Sequence, residues 1–325
     1  MPLPALGLNC NIGIGRETTW GTPVTRNRFS EMVRFSGGLK IDRSFGAAFR
    51  GIQKRRHFAA KRFAEFETVV EGYFEGIEHF IKALFNTTAP TTGPTQATVY
   101  THTFTPQVTL LPGWSVEVEK DVQAFLYDGA KASSGTFTFA IDQLMQLAIQ
   151  WFAEDETTVS HTAPTYPSDS KGVRWDQSHV TVDASEFDCR SVEITMDNKL
   201  NTDRRKLGTT LIKEPARGGQ MSVTGSFEAD FEAVNDFYSK YMQNTEFALN
   251  VECLGAVIAG STPTPTQESL YVQLPRCIAT GEPIEIVDEG VVKAGLSFEA
   301  IYQPTGTLDA IKVVMANGLT AGALI

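Results

Sequence analysis

The side chains that could do chemistry are few, and none stands at a working spacing. The chain has 325 residues and five histidines, His57, His79, His102, His161 and His179. A zinc site needs two histidines on one helix face or a Cys–His cluster, and neither pattern occurs. His102, in Thr101-His102-Thr103-Phe104, falls on an alternating stretch and reads as a partly exposed strand residue. Cys10, Cys189, Cys253 and Cys277 never approach CxxC spacing and read as free thiols of a reducing compartment. Gly13-Ile14-Gly15-Arg16-Glu17 has the look of a phosphate loop, but no predicted strand precedes it and no βαβ pattern surrounds it. Neither GxxxxGK[ST] nor GxSxG is present. Glu117/Glu119 and Glu154/Asp155/Glu156 could share acid–base work only if held about 5–9 Å apart across a cleft. They read instead as solvated strand edges and turns, where charge blocks unwanted strand pairing. The expectation is a protein that is not an enzyme, with no catalytic, cofactor-binding or metal-ligating residues.

Charge is more informative. Lys and Arg number 28 against 38 Asp and Glu, a net charge of −10. That balance argues against tight wrapping of nucleic acid, which requires cations to neutralise phosphates. The cations are also clustered. One stretch carries Arg50, Lys54, Arg55, Arg56, Lys61 and Arg62, and another carries Arg204, Arg205, Lys206, Lys213 and Arg217. Only Asp203 and Glu214 accompany them, so the rest of the chain is more acidic than its net charge suggests. Such stretches can be solvated charge runs. They can also dock on an acidic patch of a neighbouring copy, where complementary charge sets register. Nucleic-acid binding ranks lowest, because no stacking platform or recognition helix accompanies them.

The elements that must position these stretches repeat. Alternating Leu39-Lys40-Ile41-Asp42 precedes the first basic stretch, and Val192-Glu193-Ile194-Thr195 precedes the second. A strand running into a short helix follows each. Phe66, Val70, Phe74, Ile77, Phe80, Ile81, Leu84 and Phe85 mark the first; Val223, Phe227, Phe231, Val234, Phe237, Tyr238, Tyr241 and Met242 mark the second without a gap. The last five of each set form one apolar helix face, and Asn86 and Asn244 stand near the ends as left-handed caps. A third match sets Gly135–Asp142 and the strand Leu147–Ala153 against Gly281–Asp288 and Leu296–Tyr302. The loops Thr87–Gln96 and Ala259–Gln267 are also alike and read as one loop seen twice.

Three matches in the same order imply a tandem duplication. The expected fold is mainly β: two β-sandwich domains, each with one short α-helix and a long basic hairpin. The expected boundaries are an arm at 1–28, domain one at 29–160, a linker at 161–185 around the Pro- and Ser-rich His161–Gly172, domain two at 186–305 and an arm at 306–325. The N-terminus lacks signal-peptide features, and no apolar run nears the ~20 residues that span a bilayer. A soluble protein made in a cytosol is expected, with no membrane contact.

Several patches resemble a known family. GIGRETTWGTPV (Gly13–Val24), Thr101-His102-Thr103-Phe104-Thr105, the following LPGWSVEVEK and the Gly129-Ala130-Lys131 turn resemble the tail tube proteins of long-tailed bacteriophages. The second half resembles the family more by layout, a long loop followed by VTGSFEADFE. The resemblance implies a tube-type β-sandwich with a flanking helix, and rings of six such domains that stack into a tube conducting the genome during ejection. It implies that the long hairpins, Phe49–Arg62 and Leu200–Gly218, contact adjacent subunits or rings, through the eleven cations named above. With two domains per chain, three chains would close a pseudo-hexameric ring; a homohexamer is the alternative. The implied partners are further copies of itself and the terminator, distal tail and tape measure proteins. Double-stranded DNA would pass an acidic lumen without specific binding. The implied location is the virion tail, assembled in the host bacterial cytoplasm. Another ring-forming tail component, a terminator or baseplate ring, is the alternative reading. A carbohydrate-binding sandwich is less favoured, because Trp20, Trp114, Trp151 and Trp175 are scattered along the chain.

Overall fold

The computed structural model describes residues 10–45, 56–87, 91–96, 99–110, 112–166, 171–230, 236–259, 266–281, 293–303 and 309–319. The chain is mainly β, as its alternating Val, Phe and Thr runs predict. The first half comprises β1 (Asn11–Arg16), β2 (Arg28–Phe45), β3 (His57–Glu71), α1 (Glu78–Phe85), β4 (Thr91–Gln96), β5 (Val99–Phe104), β6 (Trp114–Glu119), β7 (Ala124–Ala140), β8 (Gln146–Ala153) and β9 (Asp155–Val159). The second comprises β10 (Ser178–Val182), β11 (Ser185–Glu186), β12 (Ser191–Asp197), β13 (Leu200–Asn201), β14 (Ala216–Arg217), β15 (Ser222–Asp230), α2 (Asp236–Gln243), β16 (Phe247–Ala259), β17 (Thr266–Ala279), β18 (Lys293–Ala300) and β19 (Lys312–Asn317).

A β-sandwich with the helix closing one open side is expected; the strands of the first half close into a barrel. Pairing runs β1–β2–β3–β8–β7–β6 and returns to β1. The long strands β2 and β7 make the corners. β2 pairs β1 through Arg28–Glu31 and β3 from Met32 onward, with a register shift at the change. β7 pairs β6 up to Ala130 and β8 from Lys131, again beside register shifts. Strands that switch layers at bulges are how two packed sheets join at an edge. Trp151, Tyr127 and Phe66 fill the interior and are buried. Phe66 and Tyr127 have ring centroids 4.2 Å apart, and Trp151 Nε1 donates to Thr68 Oγ1 at 2.8 Å.

The second half repeats much of this pairing. In β3–β8, Phe66 faces Trp151 and Val70 faces Leu147; in β15–β18, Val223 faces Ala300 and Phe227 faces Leu296. The strand part of this match therefore holds residue for residue, whereas the helices Glu78–Phe85 and Asp236–Gln243 and their caps stand one residue further apart than the strands do. Asn86 and Asn244 both take the left-handed conformation, at φ 54° and 52°. The first match needs correction. Val70 faces Met32, while Phe227 faces Val192, so Val192 corresponds to Met32 and not to Leu39. Met32 and Leu39 are seven residues apart, but the bulge after Met32 leaves their partners Val70 and Ala64 six apart, so alternation alone does not separate the two registers. In the third match, Gly135 faces Ile149 and Ala279 faces Phe298, so Gly135 corresponds to Ala279; residues 282–288 lie outside the described residues. The two similar loops are not one loop. Thr91–Gln96 is strand β4, paired with β5, whereas Ala259 and Thr266 face each other as the last pair of the β16–β17 hairpin.

The halves are not separate sheets. β12 pairs β15 on one edge and β7 Ser134–Ala140 on the other, and β19 joins β17 to β5. One buried cluster runs from Ile12 to Met315. The segments expected as arms and linker contribute strands: β1 lies within 1–28, β10 within 161–185 and β19 within 306–325. Each supplies ladder hydrogen bonds that a barrel or sheet edge would otherwise lack.

Candidate assembly surface

The residues singled out for chemistry are occupied structurally. Glu17 is buried, and its carboxylate accepts from Ser115 Oγ, Gly129 N and Gly21 N, each at 2.9 Å. Burial raises its pKa and these donors oppose the rise. Trp20 Nε1 donates to Gly129 O at 2.9 Å. The family-like patches around Gly13–Val24, Trp114 and Gly129 thus meet in one cradle, and the Gly13–Glu17 motif is a barrel strand rather than a phosphate loop. Glu117 is not solvated as expected: it is buried, paired with Arg26, and accepts from Thr162 N at 2.9 Å. Asp155 binds Arg62 at 2.6 Å, and Glu156 accepts from Leu39 N at 3.0 Å. Glu154 is pushed up to about 7, first by burial and then by Asp128 and Asp155. His102 is also corrected: it is fully buried, with Nε2 2.9 Å from Asn317 Oδ1. Among the described residues no group of three His, Cys, Asp or Glu could hold a metal ion, and the cysteines there are not joined in disulfides.

The seam between the halves has a more distinctive build. Beyond β12 the chain makes a long excursion, 198–218, that folds back on the first half. Asn198, fully buried, donates from Nδ2 to Leu84 O at 2.8 Å and Ala132 O at 3.1 Å. Arg62 N donates to Thr210 O at 2.9 Å, and Arg62 bridges Leu211 in parallel. Ile212 inserts beside the stacked rings of Phe63 and Phe152. Lys131, only 3% exposed, donates to Glu214 Oε1 at 2.7 Å and Pro215 O at 3.3 Å. Burial lowers its pKa, and Glu214 opposes that shift. A buried ammonium without these acceptors would be costly, so loop and socket depend on each other.

The predicted cations divide accordingly. Arg50, Lys54 and Arg55 lie outside the described residues. Arg56 is exposed on the arm formed by β2 and β3. Lys61 lies 3.8 Å from Asp203 of the second loop, with its ammonium 4.2 Å from the Phe63 ring centre. Arg204 donates to Glu214 O, and Arg205 pairs Asp203 at 3.0 Å. Arg217 reaches Asn198 O at 3.3 Å and Gln107 O at 2.6 Å. Lys206 and Lys213 are exposed. The second basic stretch therefore contacts the first half of its own chain. Lys131 and Asn198, which hold this contact, have no local sequence signal; the Gly129-Ala130-Lys131 patch is the nearest hint.

No helix among the described residues is long and apolar enough to cross a membrane. A comparison with curated protein sequences finds no match. The sequence profile of the family described as phage tail tube protein matches residues 7–300, nearly the whole chain. With the patches Gly13–Val24, 112–120 and 129–131 meeting in its barrel, the chain belongs to the phage tail tube protein family, a family of structural phage tail proteins.

Proposed function

We propose that the chain is a major tail tube protein made of two tube units in tandem, and that three copies close a pseudo-hexameric ring. The units centre on 29–160 and 186–305, and the segments 1–28, 161–185 and 306–325 complete their sheets with β1, β10 and β19. The observation that carries this reading is the shared register, with Phe66–Trp151 and Val223–Ala300 at the same place in each half. Within one chain the halves already meet edge to edge through β7 and β12. Repeating that contact head to tail removes open sheet edges by closing a ring.

Stacked rings would enclose a lumen through which double-stranded DNA passes during ejection. The net charge of −10 suits that role, because like charge keeps phosphate from being retained. Terminator, distal tail and tape measure proteins are the partners of such a tube, in the virion tail and during its assembly in the host cytoplasm. A terminator or baseplate ring would stop at one ring, so polymer growth separates the readings. Purified protein at rising concentration should give rings or tubes by negative-stain imaging, with six similar lobes in threefold averages. Light scattering should give rings of three 35.6 kDa chains; six chains would mean the homohexamer. A stable monomer at every concentration and salt would refute the proposal.

A further inference from the structure

A cavity of about 190 Å³ lies where the start of β2, the first turn of α1 and residues 165–166 meet, beside Leu319 just past β19. That is far more room than one ordered water needs. Its walls include Asn27, Arg28, Phe29, His79, Thr165 and Tyr166, and none of the described lining residues is acidic. Every polar side chain in that set can donate: an amide, a guanidinium, an imidazole and two hydroxyls.

His79 is the member that lacks a partner. It is 3% exposed, and among the described residues no group is hydrogen-bonded to its ring. Buried polar groups are ordinarily paired, because leaving water without a new partner is costly. The groups around it are basic. Burial pushes its pKa down to about 3, and Arg28, Lys82 and His102 push it the same way. Arg28 comes from β2, Lys82 from the next turn of α1, and His102 from β5, where it is bound to Asn317. The nearby carboxyls are engaged elsewhere. Glu78 accepts from Gly76 N and, at 2.8 Å, from Asn317 Nδ2. Glu31 accepts from the Tyr73 hydroxyl at 2.8 Å and Glu75 from Gly318 N at 3.2 Å, and both border the adjoining cleft.

We propose that this cavity binds a small oxyanion of the phosphate class, held by Arg28 and His79. A tetrahedral anion presents oxygens in several directions, which suits donors arriving from β2, α1 and residues 165–166. It supplies the negative charge missing around His79. A neighbouring anion favours the imidazolium, so binding takes up a proton at His79. The bound anion also bridges β2 to α1, and a ligand held only by the folded chain stabilises it.

Sulfate is the probe, because it stays fully ionised near neutral pH and any pH dependence then belongs to the protein. Radiolabelled sulfate is equilibrated by dialysis with the full-length chain at pH 6, 7 and 8, with chloride keeping the ionic strength constant. Dialysis reads binding whatever the oligomeric state. The wild type should hold one sulfate per chain more than His79→Phe, which puts an apolar ring in place of the imidazole. Binding should tighten up to about tenfold for each unit fall in pH, the limit for uptake of one proton. At ten times its dissociation constant, sulfate should raise the folded-to-unfolded ratio in urea about elevenfold more for the wild type than for His79→Phe. His79→Gln keeps a donor that does not titrate, so it should bind more weakly and without the pH slope. Glu78 is the other group near neutrality, raised to about 7, and Glu78→Gln should keep the slope. Circular dichroism checks that each variant is folded; if His79→Phe is not, the comparison is made with His79→Gln. No saturable sulfate on the wild type, equal binding by the His79 variants, or a slope lost with Glu78→Gln and kept with His79→Gln would overturn the proposal.

Discussion

Replacing Asn317 with alanine tests whether the C-terminal strand is integral to the fold. Asn317 ends β19 and is fully buried. Its Nδ2 donates to Phe74 O and Glu78 Oε1, both at 2.8 Å, and its Oδ1 accepts from Leu319 N at 3.0 Å and lies 2.9 Å from His102 Nε2. One side chain thus ties β19 to β5 and to the start of α1. A buried hydrogen bond contributes about 1 kcal/mol net, so losing all four bonds costs about 4 kcal/mol. That is a large share of the roughly 5–15 kcal/mol that holds a typical domain together. The shared core predicts one cooperative transition, followed by tryptophan fluorescence in urea at dilute concentration. The midpoint should fall with little change in slope, and amides of β5 and β19 should gain hydrogen exchange before those of the barrel. A loss below about 1 kcal/mol, or unchanged exchange in β5 and β19, would refute the reasoning.

Two further outcomes follow from single residues. Glu78 is fully buried, and its carboxyl is pushed up from 4.5 to about 7 by burial, against donors at Gly76 and Asn317. The folded state therefore binds more protons than the unfolded state between those values, and stability is highest below about pH 4.5 and falls as pH rises through about 7. At 1.36 kcal/mol per unit the swing is about 3 kcal/mol, and Glu78→Gln should flatten that part of the profile. Equal urea stabilities of wild type and variant relative to each other at pH 5 and pH 8 would contradict this. Gly129 has φ +60°, and an added Cβ would stand 2.8 Å from Trp20 Nε1. Gly129→Ala should lower stability by about 2 kcal/mol or more from strain and displacement of Trp20, read by thermal melting and by a change in tryptophan emission.

Local elements were legible in the sequence because their signals are local. The apolar spacing from Phe66 to Phe85 marks a strand and then a helix, and β3 and α1 occupy that span. The pattern in Leu147–Ala153 is ambiguous alone, but its partner Leu296–Tyr302 alternates, and β8 and β18 are strands. The cap positions Asn86 and Asn244 follow from residue type at a helix end. The patches of the family resemblance were visible too, although the reason for their coexistence was not: Glu17 binds the backbone of Gly129, far along the chain.

The sequence by itself determined that this is a repetitive β protein of the phage tail tube family, because side-chain period and motif order are written along one strand at a time. Only the tertiary structure decided which edges meet. It set Val192 opposite Phe227 where Met32 faces Val70, buried His102 against Asn317, and joined the sheets of the first half into a closed barrel. It also docked the second basic stretch on Lys131 and on Lys61 and Arg62 of the first, leaving Arg56 on an exposed arm. The physical reason is that a strand's alternation fixes its faces, whereas its hydrogen-bonding edges are the same for every sequence. Which edge is filled, and which cation is covered, depends on groups that are remote along the chain.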